Sequence, residues 1–449
     1  MSSHKMDHDQ MWAYLSSGAD HIMTAGSISF SEYINLYRTA YNYCLSPRKH
    51  SHLVESSSLV GLELYDKLSD YFARHLQLMT EKVETLQDLD LLRCYASEWN
   101  RYTTGAQYLD RMFAYFNRHY VACEREQGNK DVYPVYTLAL VQWKTYWFSH
   151  FQKDGAKLTN AVLRLINQER GGEMIDQDLV KGVVGSYVSL GVDDSDLSKE
   201  CVDVYCDEFE VAFLQAAKIY YEAKSAAFLA SHSISDYFKW VEGCLKEEEA
   251  RVERYLHTNT RTYLARKCER VLIHAYSELI WESFQPLLDS DRDEDLHRMY
   301  ALLSRIPQGL EPLYQRFGAH VRQAGLAAVS RLTGEGDVNA ESLDPKVYVD
   351  ALFEVHLKNS ETVQRCFEGE AGFVASLDRA CREFVNHNAA TGFSPTKSSG
   401  IISKHADILL RDNNKVERED APEGALNRVM ILYEYLEEKN PLQKILGVN

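Results

Sequence analysis

The chain has 449 residues, of which 45 % are hydrophobic and 26 % charged, and its formal net charge is −17. That length exceeds what a single hydrophobic core supports, so roughly two to four domains or stacked repeats are expected. The acidic balance excludes a general attraction to nucleic-acid backbones or anionic membranes, and no apolar run approaches the ~18 residues of a membrane span.

The opening MSSHKMDHDQMW is polar and lacks the apolar stretch of a secretory signal. Nine cysteines, at 44, 94, 123, 201, 206, 244, 268, 366 and 381, are scattered, odd in number and free of any CxxC pair. This usage predicts a reducing compartment, the cytoplasm and nucleus, and no disulfide framework.

Helices are predicted throughout. Only 9 prolines occur, with none between Pro134 and Pro286, and apolar residues recur at threes and fours. Ser29-Phe30-Ser31-Glu32 has the form of a capping box opening a helix over Phe30–Leu45. Leu64, Leu68, Phe72, Leu76 and Met79 lie along one helical face. Leu158, Val162, Leu165 and Ile166 form another, ending at Gly171-Gly172. Phe209, Phe213, Ala216 and Tyr220 form a third. Ser233 and Asp236 start the helix that carries Phe238 and Val241. Breaks are expected at Asp193–Asp196, at Gly334-Glu335-Gly336-Asp337, and over Gly392–Gly400, the most linker-like piece. No short repeat signature of about 33 to 47 residues is present. The fold class is all-α.

Catalytic signatures are missing. There is no HExxH, GxxxxGK[ST] or GxSxG sequence. Asp289-Ser290-Asp291-Arg292-Asp293 has the alternating acids of a calcium loop. However, Glu294 stands where glycine is required and Tyr300 where a bidentate Glu is required. The segment therefore reads as a solvated acidic helix start, through Asp295, to a helix over Leu296–Leu303. Cys201 and Cys206 are wrongly spaced for one helical face and have no paired ligands. No catalytic residue, metal or cofactor is expected.

Two helices are apolar over more than one stripe. In Phe30–Leu45, Tyr33, Tyr37, Ala40 and Tyr41 form one row, and Ile34, Tyr37, Tyr41 and Cys44 an adjoining one. In Tyr108–Cys123, Leu109, Met112, Phe113, Phe116 and Tyr120 form a core stripe, with Tyr115 and His119 on another face. Periodicity leaves two readings open: these tyrosines complete a core, or they anchor a partner.

The segments 32–44 (EYINLYRTAYNYC), 60–68 (VGLELYDKL), 114–121 (AYFNRHYV) and 132–144 (VYPVYTLALVQWK) resemble the opening repeat of cullins. Of the cullins, they are closest to the class that nucleates SCF ubiquitin ligases. The likeness continues in matching order to LNRVMILYEYLEEK at 426–439. It implies an elongated, curved stalk of three five-helix repeats near residues 1–152, 153–286 and 287–410, with 411–449 starting a further region. It also implies a non-catalytic scaffold that holds a BTB-like adaptor of the Skp type and its F-box receptor. Matched residue by residue, the adaptor contacts are Tyr33, Ile34, Tyr37, Ala40, Tyr115 and His119. Ala40 stands where the family commonly has a larger aliphatic residue. The sequence ends in NPLQKILGVN, where the family pattern leads on to the RING-box-binding and modifier-attachment regions. The resemblance therefore implies no RING-box partner for this chain, and a role as a competitor for adaptors. A rod-like vesicle-tethering subunit is the alternative architecture; the acids Glu434, Glu437 and Glu438 do not supply the basic lipid-facing patch it would need.

Overall fold

The computed structural model describes residues 6–25, 28–46, 56–80, 83, 86–153, 155–333, 343–392, 394–413 and 422–441. Among these residues there are helices and turns but no strand, as the 3.6-residue periodicity predicts. Internal contacts divide the chain into two compact units. One comprises Met1–Tyr220 with Glu247–Lys267, the other Tyr221–Lys246 with Cys268–Asn449.

The first unit opens with α1 (His8–Ala25), α2 (Phe30–Leu45), α3 (Ser56–Thr80) and α4 (Asp88–Met112). On α3 the expected face, Leu64, Leu68, Phe72, Leu76 and Met79, is buried throughout. A short turn, α5 (Ala114–Phe116), leads into a π turn at Asn117–Val121 and then α6 (Ala122–Glu126). Beyond it lie α7 (Val135–Gln142), a second π turn at Trp143–Phe148, and α8 (Ser149–Lys153). The core here is aromatic with paired polar tips. Tyr95 and Trp147 stack at 5.3 Å, Trp143 donates to the Tyr95 hydroxyl at 3.2 Å, and Tyr102 donates to the Ala139 carbonyl at 2.9 Å.

Next come α9 (Lys157–Arg170), which stops at Gly171-Gly172 as expected, and α10 (Gln177–Ser189), whose first turn is capped by Asp176. On α9, Leu158, Val162 and Ile166 are buried and Leu165 half-buried. After α11 (Asp203–Tyr205) and a third π turn at Cys206–Glu210, α12 (Val211–Leu229) begins. Its buried row is Phe209, Phe213 and Ala217, rather than the expected Ala216 and Tyr220, which are half-buried. The row advances by steps of four, so it drifts one residue from the expected stripe.

The C-terminal half of α13 (Ile234–Tyr255) is joined to the end of α9 by charge. Arg170 donates to Glu248 at 2.8 Å, Arg251 to Glu169 at 2.9 Å, and the Tyr255 hydroxyl to Glu169 at 2.7 Å. These side chains are all buried or nearly so. Burial alone would raise the Glu169 carboxyl, but the Tyr255 and Arg251 hydrogen bonds outweigh it and hold the group below its ordinary range. The start of α13 matches the expected cap: Ser233 Oγ accepts from the Asp236 amide at 3.2 Å. Thr260–Leu272 forms α14.

The second unit contains α15 (Ser277–Glu282), α16 (Phe284–Asp289), α17 (Asp293–Leu303), α18 (Glu311–Thr333), α19 (Pro345–Phe367), α20 (Ala371–Asn386), α21 (Pro395–Asn413) and α22 (Pro422–Tyr435). Phe367 and Phe373 stack at 3.9 Å at its centre, with Phe317 edge-on to both. Asp293 and Glu294 occupy the first turn of α17. Asp295, however, is buried and not solvated as expected: it accepts from Ser235 at 2.8 Å and pairs with Arg292 and Arg298. Of the expected linker Gly392–Gly400, the part from Pro395 onward is helical. Pro395 starts α21, a position where its missing N–H costs nothing, and Ser398 is buried against the Tyr348 hydroxyl at 3.1 Å. Gly334–Asp337 and the tail from 442 onward lie outside the described residues. Residues 152, 286 and 410 lie in α8, α16 and α21 respectively.

Candidate docking site

α2 has two apolar faces. Its start is set by the expected capping box: Ser29 Oγ accepts from the Glu32 amide, and Glu32 accepts from the Ser29 amide, both at 3.3 Å. The Ser29 hydroxyl also donates to the Glu32 carboxylate at 2.6 Å, and that bond first, then the Ser29 amide, holds the Glu32 carboxyl below its usual range. The inner face is Leu36, Ala40 and Tyr43, all buried. Leu36 packs where a Cβ on Gly18 of α1 would lie only 2.4 Å away, so glycine there allows close approach.

The outer face is Phe30, Ile34, Tyr37, Tyr41 and Leu45, at spacings of i, i+4, i+7, i+11 and i+15. Phe30 is 80 % exposed, Leu45 50 %, Tyr41 40 % and Tyr37 37 %, with Ile34 half-buried. Tyr33 flanks this stripe, also half-buried. Burial pushes its phenol up, while the nearby Arg111 guanidinium acts in the opposite sense. A continuous row of exposed aromatic and aliphatic side chains on one helix is unusual where no partner covers it.

The second half of the site comes from α5 and the π turn. The Tyr115 ring meets Tyr41 edge-on at 4.8 Å, and His119 lies 4.2 Å from Tyr115. The two helices therefore present one joined surface. Asn117 fixes the π turn: its amide donates to Asp110 at 2.8 Å, and its carbonyl oxygen accepts from the Val135 amide at 3.0 Å. Beside the stripe is an open groove of about 360 Å³, lined by Val60, Gly61, Phe116 and Tyr120, with His119 and Glu124 on its wall. Burial pushes the Cys44 thiol, also in this groove, up to about 12, which keeps it protonated.

Of the six expected contacts, five form this surface. Ala40 does not: at 2 % exposure it faces inward among Met112, Phe113 and Phe116, where it spaces two helices. Phe30 and Leu45 were absent from the expected set. The signal for them was the extension of the Ile34–Tyr37–Tyr41 row by one turn at each end of the helix. Among the described residues, no three His, Cys, Asp or Glu side chains gather closely enough to hold a metal ion.

The family profile of the cullin alpha solenoid domain matches residues 12–445. The chain belongs to the cullin family. Among curated cullins, it is 39 % identical to Cullin-1 of Dictyostelium discoideum over 97 % of this chain and 57 % of that protein. It is 35 % identical to Cullin-1 of Caenorhabditis elegans, over 98 % of this chain and 59 % of that one. Cullin-1 of Schizosaccharomyces pombe is 34 % identical, over 96 % and 57 % respectively. This cullin chain thus spans a little over half the length of the relatives it matches. The all-helical fold agrees with the solenoid description, and the α2–π-turn surface lies within the matched region.

Proposed function

We propose that the chain is a non-catalytic scaffold of an SCF-type ubiquitin ligase, docking a Skp-type adaptor with its F-box receptor on the surface formed by α2 and the π turn. The observation that carries this reading is the uncovered Phe30–Ile34–Tyr37–Tyr41–Leu45 stripe, joined by ring contact to Tyr115 and His119. Aromatic side chains of this kind act as anchors when a partner supplies pockets, because each buries a large apolar body while its polar tip still reaches water. The similarity to proteins named Cullin-1 supports the choice of partner class. The division into three repeats, the curved stalk they build and a location in cytoplasm and nucleus belong to the same proposal. A scaffold works by positioning: stacked helices hold bound partners at a set distance and raise their effective encounter rate.

The test is co-migration. The purified chain mixed with a Skp-type adaptor bound to an F-box protein should elute from gel filtration as one complex. Tyr33→Ala combined with Ile34→Ala should abolish it. Co-elution of that double variant at wild-type strength would refute the placement of the site.

A further inference from the structure

We infer that Asn117 is a positioning residue for the docking surface: paired with Asp110, it caps α7 from outside that helix and so holds the π turn that aims His119 at Tyr115. The inference rests on the reading given under Proposed function and names a residue on which the affinity for that partner depends.

The start of α7 creates a demand that its own sequence does not meet. The first amides of a helix have no partner within it. A Ser, Thr, Asn or Asp before the helix commonly accepts from them, but the cap position of α7 is Pro134, which makes no side-chain cap bond. Val135 is fully buried, so its amide has no water to turn to. The acceptors come from elsewhere in the chain. Asn117 Oδ1 accepts from the Val135 amide at 3.0 Å, and Asp110 Oδ1 accepts from the Tyr136 amide at 3.0 Å. The same Asp110 oxygen accepts from Asn117 Nδ2 at 2.8 Å, which closes the cluster. Only one orientation of the Asn117 amide satisfies both neighbours, with its oxygen toward Val135 and its nitrogen toward Asp110.

Asn117 is also where the π turn begins. Its carbonyl accepts from the Ala122 amide, five residues on. A turn of this width takes in one extra residue, and it shifts the side chains beyond it by about 100° around the axis relative to an α-helix. His119 lies inside the turn, 4.2 Å from Tyr115, which in turn meets Tyr41 of α2 at 4.8 Å. Tyr120, the next residue, sits against Gly61 of α3. The joined edge of the docking surface therefore depends on the wide turn staying wide. Such turns are uncommon insertions in α-helices, and here the Asn117–Asp110 clamp opposes a return to the α register, which would carry His119 and Tyr120 away from the rings and backbone they now meet.

The experiment exchanges the two partners. Asn117→Asp removes the donor to Asp110 and sets two carboxylates face to face. Adding Asp110→Asn restores the three bonds named above, with the donor role moved to residue 110 and the net charge of the pair back at its wild-type value. Affinity for a Skp-type adaptor–F-box complex is read by calorimetry at a temperature where every variant is folded, so that a loss reports geometry and not an unfolded fraction. Amide hydrogen exchange over residues 117–122 is followed in the free chain. Asn117→Asp should weaken binding about tenfold and speed exchange in the turn, and the double variant should bring both back toward wild type. Asn117→Ala, which removes the clamp without adding charge, takes the place of Asn117→Asp if that variant does not fold. Wild-type affinity in the single variant, unchanged exchange in its turn, or a double variant that binds no more tightly than the single one would overturn the inference while leaving the docking surface in place. Failure of the wild-type chain to bind the adaptor complex at all would remove both.

Discussion

Tyr37 and Ala40 are three residues apart on α2 and do different work. Tyr37 belongs to the outer stripe, where truncation removes aromatic area that a partner would cover. Tyr37→Ala should lower partner affinity by about 2 kcal/mol or more, with little loss of stability. Titration calorimetry and a thermal melt of the same sample separate the two effects. Ala40 sits in closed packing with Met112 and Phe116. Ala40→Leu should therefore cost roughly 1–3 kcal/mol of stability through overpacking, a loss that denaturant unfolding would register. Unchanged stability would return Ala40 to the surface. The sequence distinguished these residues poorly. Capping at Ser29 and Glu32 was legible because it depends on neighbours three residues apart. Which of two apolar faces of α2 looks outward depends on what α1 and α4 bring to the other side, and periodicity carries no information about that. Phe30 was overlooked for the same reason, since an apolar residue in the first turn fits either face.

At the scale of elements, the packing of α3 against the π turn and the charged joint between α9 and α13 make opposite demands. Gly61 on α3 faces the Tyr120 ring, where an added Cβ would lie 2.1 Å from ring carbon. Gly61→Ala must push that ring aside, and a loss of about 1–3 kcal/mol is expected together with a reshaped groove. The charged joint is sensitive to removal rather than addition. Glu248→Leu leaves Arg170 and Arg251 buried without that partner and should cost about 3–5 kcal/mol. Lys246→Ala, which breaks the exposed pair with Glu242, should cost under ~1 kcal/mol. Equal losses for the two variants would contradict the burial argument.

The C-terminal helix α22 offers a pH test. His356 Nε2 lies 3.2 Å from the Tyr435 hydroxyl, which donates to Asp378 at 2.9 Å, and burial holds the His356 imidazole below its ordinary value of 6.5. The neutral ring is favoured in the fold and the unfolded chain binds the proton more readily. Stability from this group is therefore complete above the unfolded value and is lost as pH falls below 6.5. Melting temperature should drop between about pH 7 and 5, and His356→Gln should reduce that slope. Elements built from plain stripes, such as α3, were read correctly from sequence. The π turn at Asn117–Val121 and the helical start at Pro395 were not, because they depend on distant partners: Asp110 and Val135 for the former, Tyr348 for the latter.

At the scale of the whole molecule, the all-helical class followed directly from composition and spacing, whereas membership of the cullin family required the order of many segments together. No single stretch carries a catalytic signature, and the function proposed is correspondingly one of surfaces. The decisive property is whether the α2 stripe and the Tyr115–His119 edge are covered when a Skp-type adaptor–F-box complex binds. Side-chain footprinting by hydroxyl radicals, with and without that complex, reads this directly. Protection should concentrate at Phe30, Tyr37, Tyr41, Leu45, Tyr115 and His119, leaving exposed side chains of the second unit such as Leu357 and Ile408 unchanged. Binding that leaves those six positions as reactive as in the free chain, with protection elsewhere, would contradict the docking surface described above.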